Sequence, residues 1–322
     1  MSDTAVATQY TEAPVFLQAG DDTIFGIVTH PRGWIPRTGF IILPGGGTPL
    51  TTNRNRLSVR ICRHLATLGF TSMRCDYHGT GESTGELQQI RLDQPFVEDV
   101  AVAIAHLKDM GVERIILAGS CFGGRTSLAA AAASEDVAAV MLIATSPRDY
   151  MMGERIGARK AADWSLSRYL LEAIRPRTFR GLFNPRLRRS YVSHARTKMR
   201  QMTGTLPGGK RRLEERPMGT EIVSPHFDGH MRSLASRGVP VLLLYGNEDV
   251  FLEEFQTAAE GPLADVMNEA LGSIQVRTVP GRLHGLTTVA IQDAVFDEVV
   301  AWAGAYADPG SADAVGGSDE AR

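Results

Sequence analysis

The stretch Gly119-Ser120-Cys121-Phe122-Gly123-Gly124 has the spacing small-x-nucleophile-x-small. It stands between a short apolar segment, Arg114 to Ala118, and a segment from Arg125 to Ala133 that reads as a helix. Small residues on both sides of a central side chain let a strand turn abruptly into a helix. A Cβ at either place would strike the other limb of the turn, and the bend lifts the central side chain into the open. The side chain so presented is the thiol of Cys121. Ser120 is the competing nucleophile, but a turn centred on it needs small residues at 118 and 122, and position 122 is Phe. A buried, inert cysteine in a glycine-rich turn is the bland alternative.

A thiol works as a nucleophile when a base takes its proton and a third group orients the base. Two downstream segments offer such groups in order. Tyr245-Gly246-Asn247-Glu248-Asp249 follows the apolar run Val241 to Leu244, and Gly281-Arg282-Leu283-His284-Gly285 follows a run ending at Val279. Both polar turns come at the carboxyl ends of expected strands, where open parallel sheets hold their sites.

The elements that must position these groups alternate short apolar segments with longer amphipathic ones, the pattern of a mostly parallel sheet flanked by helices. Strands are expected at Pro14 to Gln18, Thr23 to Thr29, Gly39 to Leu43, Thr71 to Asp76, Arg114 to Ala118, Ala138 to Ala144, Pro240 to Tyr245 and Ile274 to Val279. Helices are expected at Asn55 to Leu68, Pro95 to Met110, Arg125 to Ala133 and Thr288 to Tyr306. About ninety residues between Ser146 and Gly238 break this rhythm. From Arg148 to Arg216 the chain carries 18 Lys or Arg against 6 Asp or Glu, a local balance of +12, and it reads as an inserted, mainly helical, basic cap. The expected organisation is a first half of the core over 1–145, the cap over 146–238, a second half of the core over 239–307 and a disordered tail over 308–322.

With nucleophile, acid and base in that order, the chain resembles the α/β-hydrolase superfamily over about residues 14 to 307, apart from the cap. Its cysteine turn is similar to that of dienelactone hydrolases, although those are compact enzymes without a comparable insertion. The resemblance implies an α/β-hydrolase fold. It implies Cys121 as nucleophile, His284 as general base and then acid, and Asp249 as the carboxylate that orients the imidazole, with Glu248 as the fallback acid. It further implies an oxyanion hole made of the Phe122 N–H and a second N–H from Gly45-Gly46-Gly47, assigned to Gly46. Pro44-Gly45-Gly46-Gly47 departs from the family's usual His-Gly opening of that loop. The loop Asp76-Tyr77-His78-Gly79-Thr80-Gly81-Glu82-Ser83 resembles the family's Asp-x-x-Gly-x-Gly-x-Ser signature. Its main reading is structural, with His78 as a substrate-binding candidate. His226 and Ser120 are further substrate-binding candidates.

A thiolate adds to carbonyls readily but also leaves readily, so an ordinary alkyl ester tends to revert. Productive substrates are thioesters, enol-type or phenolic esters, or strained lactones, hydrolysed or transferred through a Cys121 acyl-enzyme. The helix N-terminus and His284 are expected to favour a thiolate–imidazolium pair. The basic cap suits an anionic partner, such as a coenzyme A or phosphopantetheine group, an acidic carrier protein or a carboxylate substrate. Its arginines could equally just solvate helical faces. Two other readings compete: a lyase of specialised metabolism that eliminates acetate from an acetylated, tetronate-type polyketide intermediate, and a non-catalytic binding module.

Composition bounds the rest. A chain of 322 residues, 43% apolar with a formal charge of -2, can bury one large core with an insertion. Cys62, Cys75 and Cys121 form neither a disulfide framework nor a metal-ligand cluster. The start MSDTAVATQYTEA lacks the features of a signal peptide, and no apolar run reaches the length of a membrane span. A cytoplasmic, metal-free protein without a membrane or nucleic-acid partner is expected. Gly45-Gly46-Gly47 lacks the context of a nucleotide-phosphate loop, so no cofactor is implied. Nothing in the sequence fixes an oligomeric state.

Overall fold

The computed structural model describes residues 9–45, 51–86, 90–150, 221–270 and 272–308. Its first two strands, β1 (Tyr10–Ala19) and β2 (Asp22–Pro31), form an antiparallel hairpin at one edge of the sheet. Exposed and covered side chains alternate along β1, as on a strand with one wet face. The inner strands read differently. β3 (Thr38–Leu43), β4 (Thr71–Cys75), β5 (Arg114–Ser120), β6 (Val137–Ile143) and β7 (Val241–Gly246) are short, aliphatic and buried almost throughout. Such runs suit parallel strands covered on both faces. β8 (Ile274–Val279) closes the far edge with several exposed side chains.

The eight strands lie in the order β1-β2-β4-β3-β5-β6-β7-β8. β2 meets β4 antiparallel, and every pairing from β4 onward is parallel. The mostly parallel sheet with flanking helices expected from the sequence is therefore what the chain builds. On one face α1 (Leu57–Thr67) packs against α7 (Val289–Ala303). On the other, α2 (Val97–Asp109) and α4 (Pro225–Ser236) both pack against α3 (Phe122–Ala133). Two shorter helices, α5 (Val250–Ala259) and α6 (Ala264–Glu269), connect β7 to β8.

Three differences from the sequence reading have physical reasons. α4 falls inside the span expected to be cap, yet Phe227, Met231 and Leu234 make one side of it a buried face on α3, so it is a core helix. Ser224 starts α4 by accepting the Phe227 N–H through its side chain. Asp308, expected to begin a disordered tail, is fastened to the sheet instead. Its carboxylate accepts the Arg37 N–H (2.9 Å), the Thr38 hydroxyl (2.9 Å) and the Arg114 guanidinium (2.6 Å). α5 and α6 are not among the expected elements, although Phe251, Leu252, Phe255 and Ala258 give α5 a buried face at helical spacing. The expected cap between 151 and 220 and the tail beyond 308 lie outside the described residues. No described helix is long and apolar enough to cross a membrane.

Candidate active site

The bend after β5 concentrates its strain on one residue. Cys121 has φ 52° and ψ -112°, a left-handed conformation that disfavours any side chain, whereas Ser120 is still the last residue of the strand. The flanking glycines are required by contact. A Cβ on Gly119 would lie 2.3 Å from the carbonyl carbon and oxygen of Gly123, and one on Gly123 would lie 2.5 Å from the Leu43 carbonyl oxygen and 2.6 Å from that of Pro44. β5, α3 and the end of β3 are thus pressed together around the cysteine. The Cys121 N–H donates to the Ile143 carbonyl of β6 (2.9 Å), which ties the bend to the sheet.

Phe122 is the first residue of α3, not a loop residue ahead of a helix starting at Arg125. Its ring is fully buried and meets those of Tyr77 (5.5 Å) and Phe96 (5.0 Å) edge-on. As the first residue of a helix its N–H has no intrahelical acceptor, and it opposes the upward shift of the Cys121 thiol.

The acid and base turns are laced together. Asp249 is almost fully buried; Oδ2 accepts the N–H of Gly246 (2.8 Å) and of Leu283 (3.0 Å), and Oδ1 accepts that of His284 (3.0 Å). A Cβ on Gly246 would come within 2.2 Å of the Gly281 carbonyl oxygen. Asp249 therefore fixes the backbone that carries His284, while Nδ1 of the imidazole is buried without a hydrogen-bond partner. Glu248, the fallback acid, is exposed. The His284 ring stands edge-on to Phe251 of α5, with centroids 4.8 Å apart.

Burial decides the resting charges. The thiol of the half-buried Cys121 is pushed up to about 11 by desolvation, against the opposing pull of the Phe122 N–H and the Arg125 guanidinium. Desolvation moves His284 down, outweighing the Asp249 carboxylate. Both shifts run toward the uncharged forms, against the thiolate–imidazolium pair expected from sequence, because each charged form loses hydration. Among the described residues no hydrogen bond joins Cys121 to His284.

The Asp76–Ser83 loop holds the flanks of residues 46–50. Tyr77 donates its hydroxyl to the Pro44 carbonyl (3.2 Å), and Asp76 accepts the Thr51 N–H (2.7 Å). Gly46 itself lies outside the described residues. Gly81 is needed within this loop, since a Cβ there would sit 2.0 Å from Asp76 Oδ2 and its φ is 57°. Sequence reasoning identified the loop but missed this tethering role, for which the pairing of a buried Asp and Tyr in adjacent positions was the only signal.

The remaining candidates are dispersed. His78 Nδ1 lies 3.0 Å from Asp99 Oδ2, its ring stacks near Phe96 (4.2 Å), and it lines a cavity of about 620 Å³ with Asp22, Glu86 and Glu98. Ser120 lines a different, small cavity with Ile42, Leu57 and Leu286. His226 is exposed on α4, its ring 6.4 Å from that of His230. No three His, Cys, Asp or Glu side chains among the described residues are placed to share a metal ion.

The family described as "Serine aminopeptidase, S33" matches residues 53–288, well over half of the chain and spanning every turn just described. The chain belongs to the serine aminopeptidase S33 family. This S33 chain is thus an α/β hydrolase, with a cysteine at the centre of the bend in a family named for serine. Solved structures share its fold at low identity. Proline iminopeptidase of Mycobacterium smegmatis is 16% identical, with a TM-score of 0.52 over 91% of this chain and 100% of its own. An esterase of Pyrococcus furiosus is 13% identical, at 0.55 over 93% and 92%. Dienelactone hydrolase of Anabaena variabilis is 14% identical, at 0.54 over 93% and 100%. No curated protein sequence matches this S33 member.

Proposed function

We propose that this S33 hydrolase processes an activated acyl group, a thioester, enol ester or lactone, through an acyl-enzyme on Cys121. The strained backbone of Cys121, clasped between glycines that admit no Cβ, is the observation that carries the reading. Strain of this kind is retained where it serves to present a side chain.

In the proposed cycle the neutral imidazole of His284 takes the thiol proton as the sulfur attacks the acyl carbon. The carbonyl electron pair moves to oxygen, where the Phe122 N–H, aided by an amide of the 45–47 loop, stabilises it. Collapse expels the thiolate or enolate leaving group, which takes the proton back from the imidazolium. Water or another acceptor, deprotonated by His284, then attacks the new thioester and releases Cys121. Burial that favours the neutral imidazole suits this sequence, since the base then begins empty. Because thiolate is itself a good leaving group, the first step favours substrates whose own leaving group is comparable. The basic balance of residues 148–216 supports an anionic handle on the substrate, such as a coenzyme A or carrier-bound thioester.

The test is intact-protein mass spectrometry with acetyl-coenzyme A, a phenyl thioester and an enol acetate. The expected result is one acyl adduct mapped to the Cys121 peptide, absent in Cys121→Ala and, in His284→Ala, slower to form and longer-lived once formed. An acylated or still active Cys121→Ala protein would end the assignment.

A further inference from the structure

Arg125 is 2% exposed and is the largest side chain buried to that degree among the described residues. A buried guanidinium stays charged, so its partners must compensate for lost hydration. They come from the two chain segments that flank residues 151–220. From the exit of β6, the carbonyls of Ser146 and Arg148 accept Nη1 (3.3 Å each) and Asp149 Oδ1 accepts Nη2 (2.7 Å). From the return segment, the Ser224 hydroxyl accepts Nη2 (3.1 Å), and the ring of Phe227 lies under the guanidinium at 5.4 Å. The same residue belongs to the cysteine bend, since its backbone N–H closes the first turn of α3 on the Cys121 carbonyl (3.1 Å).

Asp149 offsets the charge, yet Cys121, whose carbonyl accepts the Arg125 N–H, and His230 of α4 both feel the guanidinium. His230 is driven down to about 4 by burial, then by Arg125 and by His226. The titratable groups facing Arg125 are Asp149, Asp93 ahead of α2, His230 and Cys121. Arg125 and, from the β4 side, the phenol of Tyr77 act on Cys121, and His284 is its partner in the proposed cycle.

We propose that Arg125 is a positioning residue that fastens the first turn of α3 to the segments on both sides of residues 151–220 and holds a permanent cation where it favours the Cys121 thiolate. This rests on the reading of Cys121 as nucleophile for its catalytic meaning, though not for its measurement. Such an arrangement makes thiol reactivity depend on how residues 146–149 and 224 are held.

The experiment is the rate of iodoacetamide alkylation of Cys121 between pH 7 and 10 in the full chain, with labelled peptides identified by mass. Cys62 and Cys75 are fully buried, so labelling of the folded protein reports on Cys121. Arg125→Gln removes the cation, and the thiolate population should fall about tenfold. Alkylation slows by about three- to tenfold, because the more basic thiolate is the better nucleophile. Arg125→Lys keeps the charge and loses the planar fork; its rates should stay within about twofold of the parent. Asp149→Asn keeps the guanidinium and removes its counter-charge, and should alkylate about threefold faster. Equal slowing in the Lys and Gln variants, or no slowing in Gln, would overturn the proposal. Should Arg125→Gln fail to fold, Asp149→Asn decides: faster alkylation supports the proposal, and unchanged or slower alkylation overturns it. An active Cys121→Ala protein would sink the acyl-enzyme reading while leaving these rates to stand or fall separately.

Discussion

Asp249 is the side chain whose observed partners differ most from the role its position suggested. Its two oxygens are occupied by three backbone N–H groups, from Gly246, Leu283 and His284. It braces the loop that presents the base, and its charge reaches the imidazole through space. Asp249→Ala would leave those donors unpaired in a buried setting, where each lost bond costs about 1–3 kcal/mol. The expected outcome is a loss of about 2–4 kcal/mol in urea-unfolding stability together with at least a hundredfold drop in acyl turnover. If the residue did no more than orient Nδ1, turnover would fall with stability unchanged. The choice of Asp249 over Glu248 was legible from position in the turn, and the structure agrees in burying one and exposing the other. Two of its three backbone partners were not legible, because they come from a segment 34 and 35 positions away that only the β7–β8 pairing brings alongside.

The bend between β5 and α3 depends on three elements meeting where there is no room for a methyl group. Gly123→Ala places a Cβ against two carbonyl oxygens of the β3 exit, which are backbone atoms that cannot swing aside. Overpacking of this sort costs about 1–3 kcal/mol. It should also move the Phe122 N–H away from the reacting centre. We therefore expect Gly123→Ala to melt several degrees lower and to form acyl adduct at least tenfold more slowly. A variant that melts lower with full acylation rate would separate the bend's stability from its chemistry. Most strands and the four helices expected outside the cap were readable from apolar period and glycine punctuation. α4 was obscured by the composition around it: its apolar face comprises only Phe227, Met231 and Leu234.

For the molecule as a whole, the two ends of the undescribed stretch meet. The Ser224 N–H donates to the Pro147 carbonyl (2.8 Å), and Arg148 Nε donates to the Glu221 carbonyl (3.0 Å). The eight strands and seven helices described above are all built from residues outside 151–220. Replacing that stretch by a short Gly/Ser linker should leave far-UV circular dichroism of a folded α/β protein and a single cooperative melt, since closing a shorter loop costs little. If substrate choice resides in the basic stretch, the same variant should still alkylate at Cys121 while losing preference for an anionic thioester over a neutral one. An unfolded product would show that the core depends on the stretch.

Hydrophobic period, glycine spacing and chain order were enough to specify a parallel sheet, a cysteine at a sharp bend and two later polar turns, because each is a local property of a few consecutive residues. Which groups touch was settled by packing. Contacts between β3 and β5, β7 and β8, and the two flanks of residues 151–220 join positions far apart in the chain. The directions in which Cys121 and His284 are shifted likewise follow from how much water the folded chain excludes, a quantity no short stretch of residues contains.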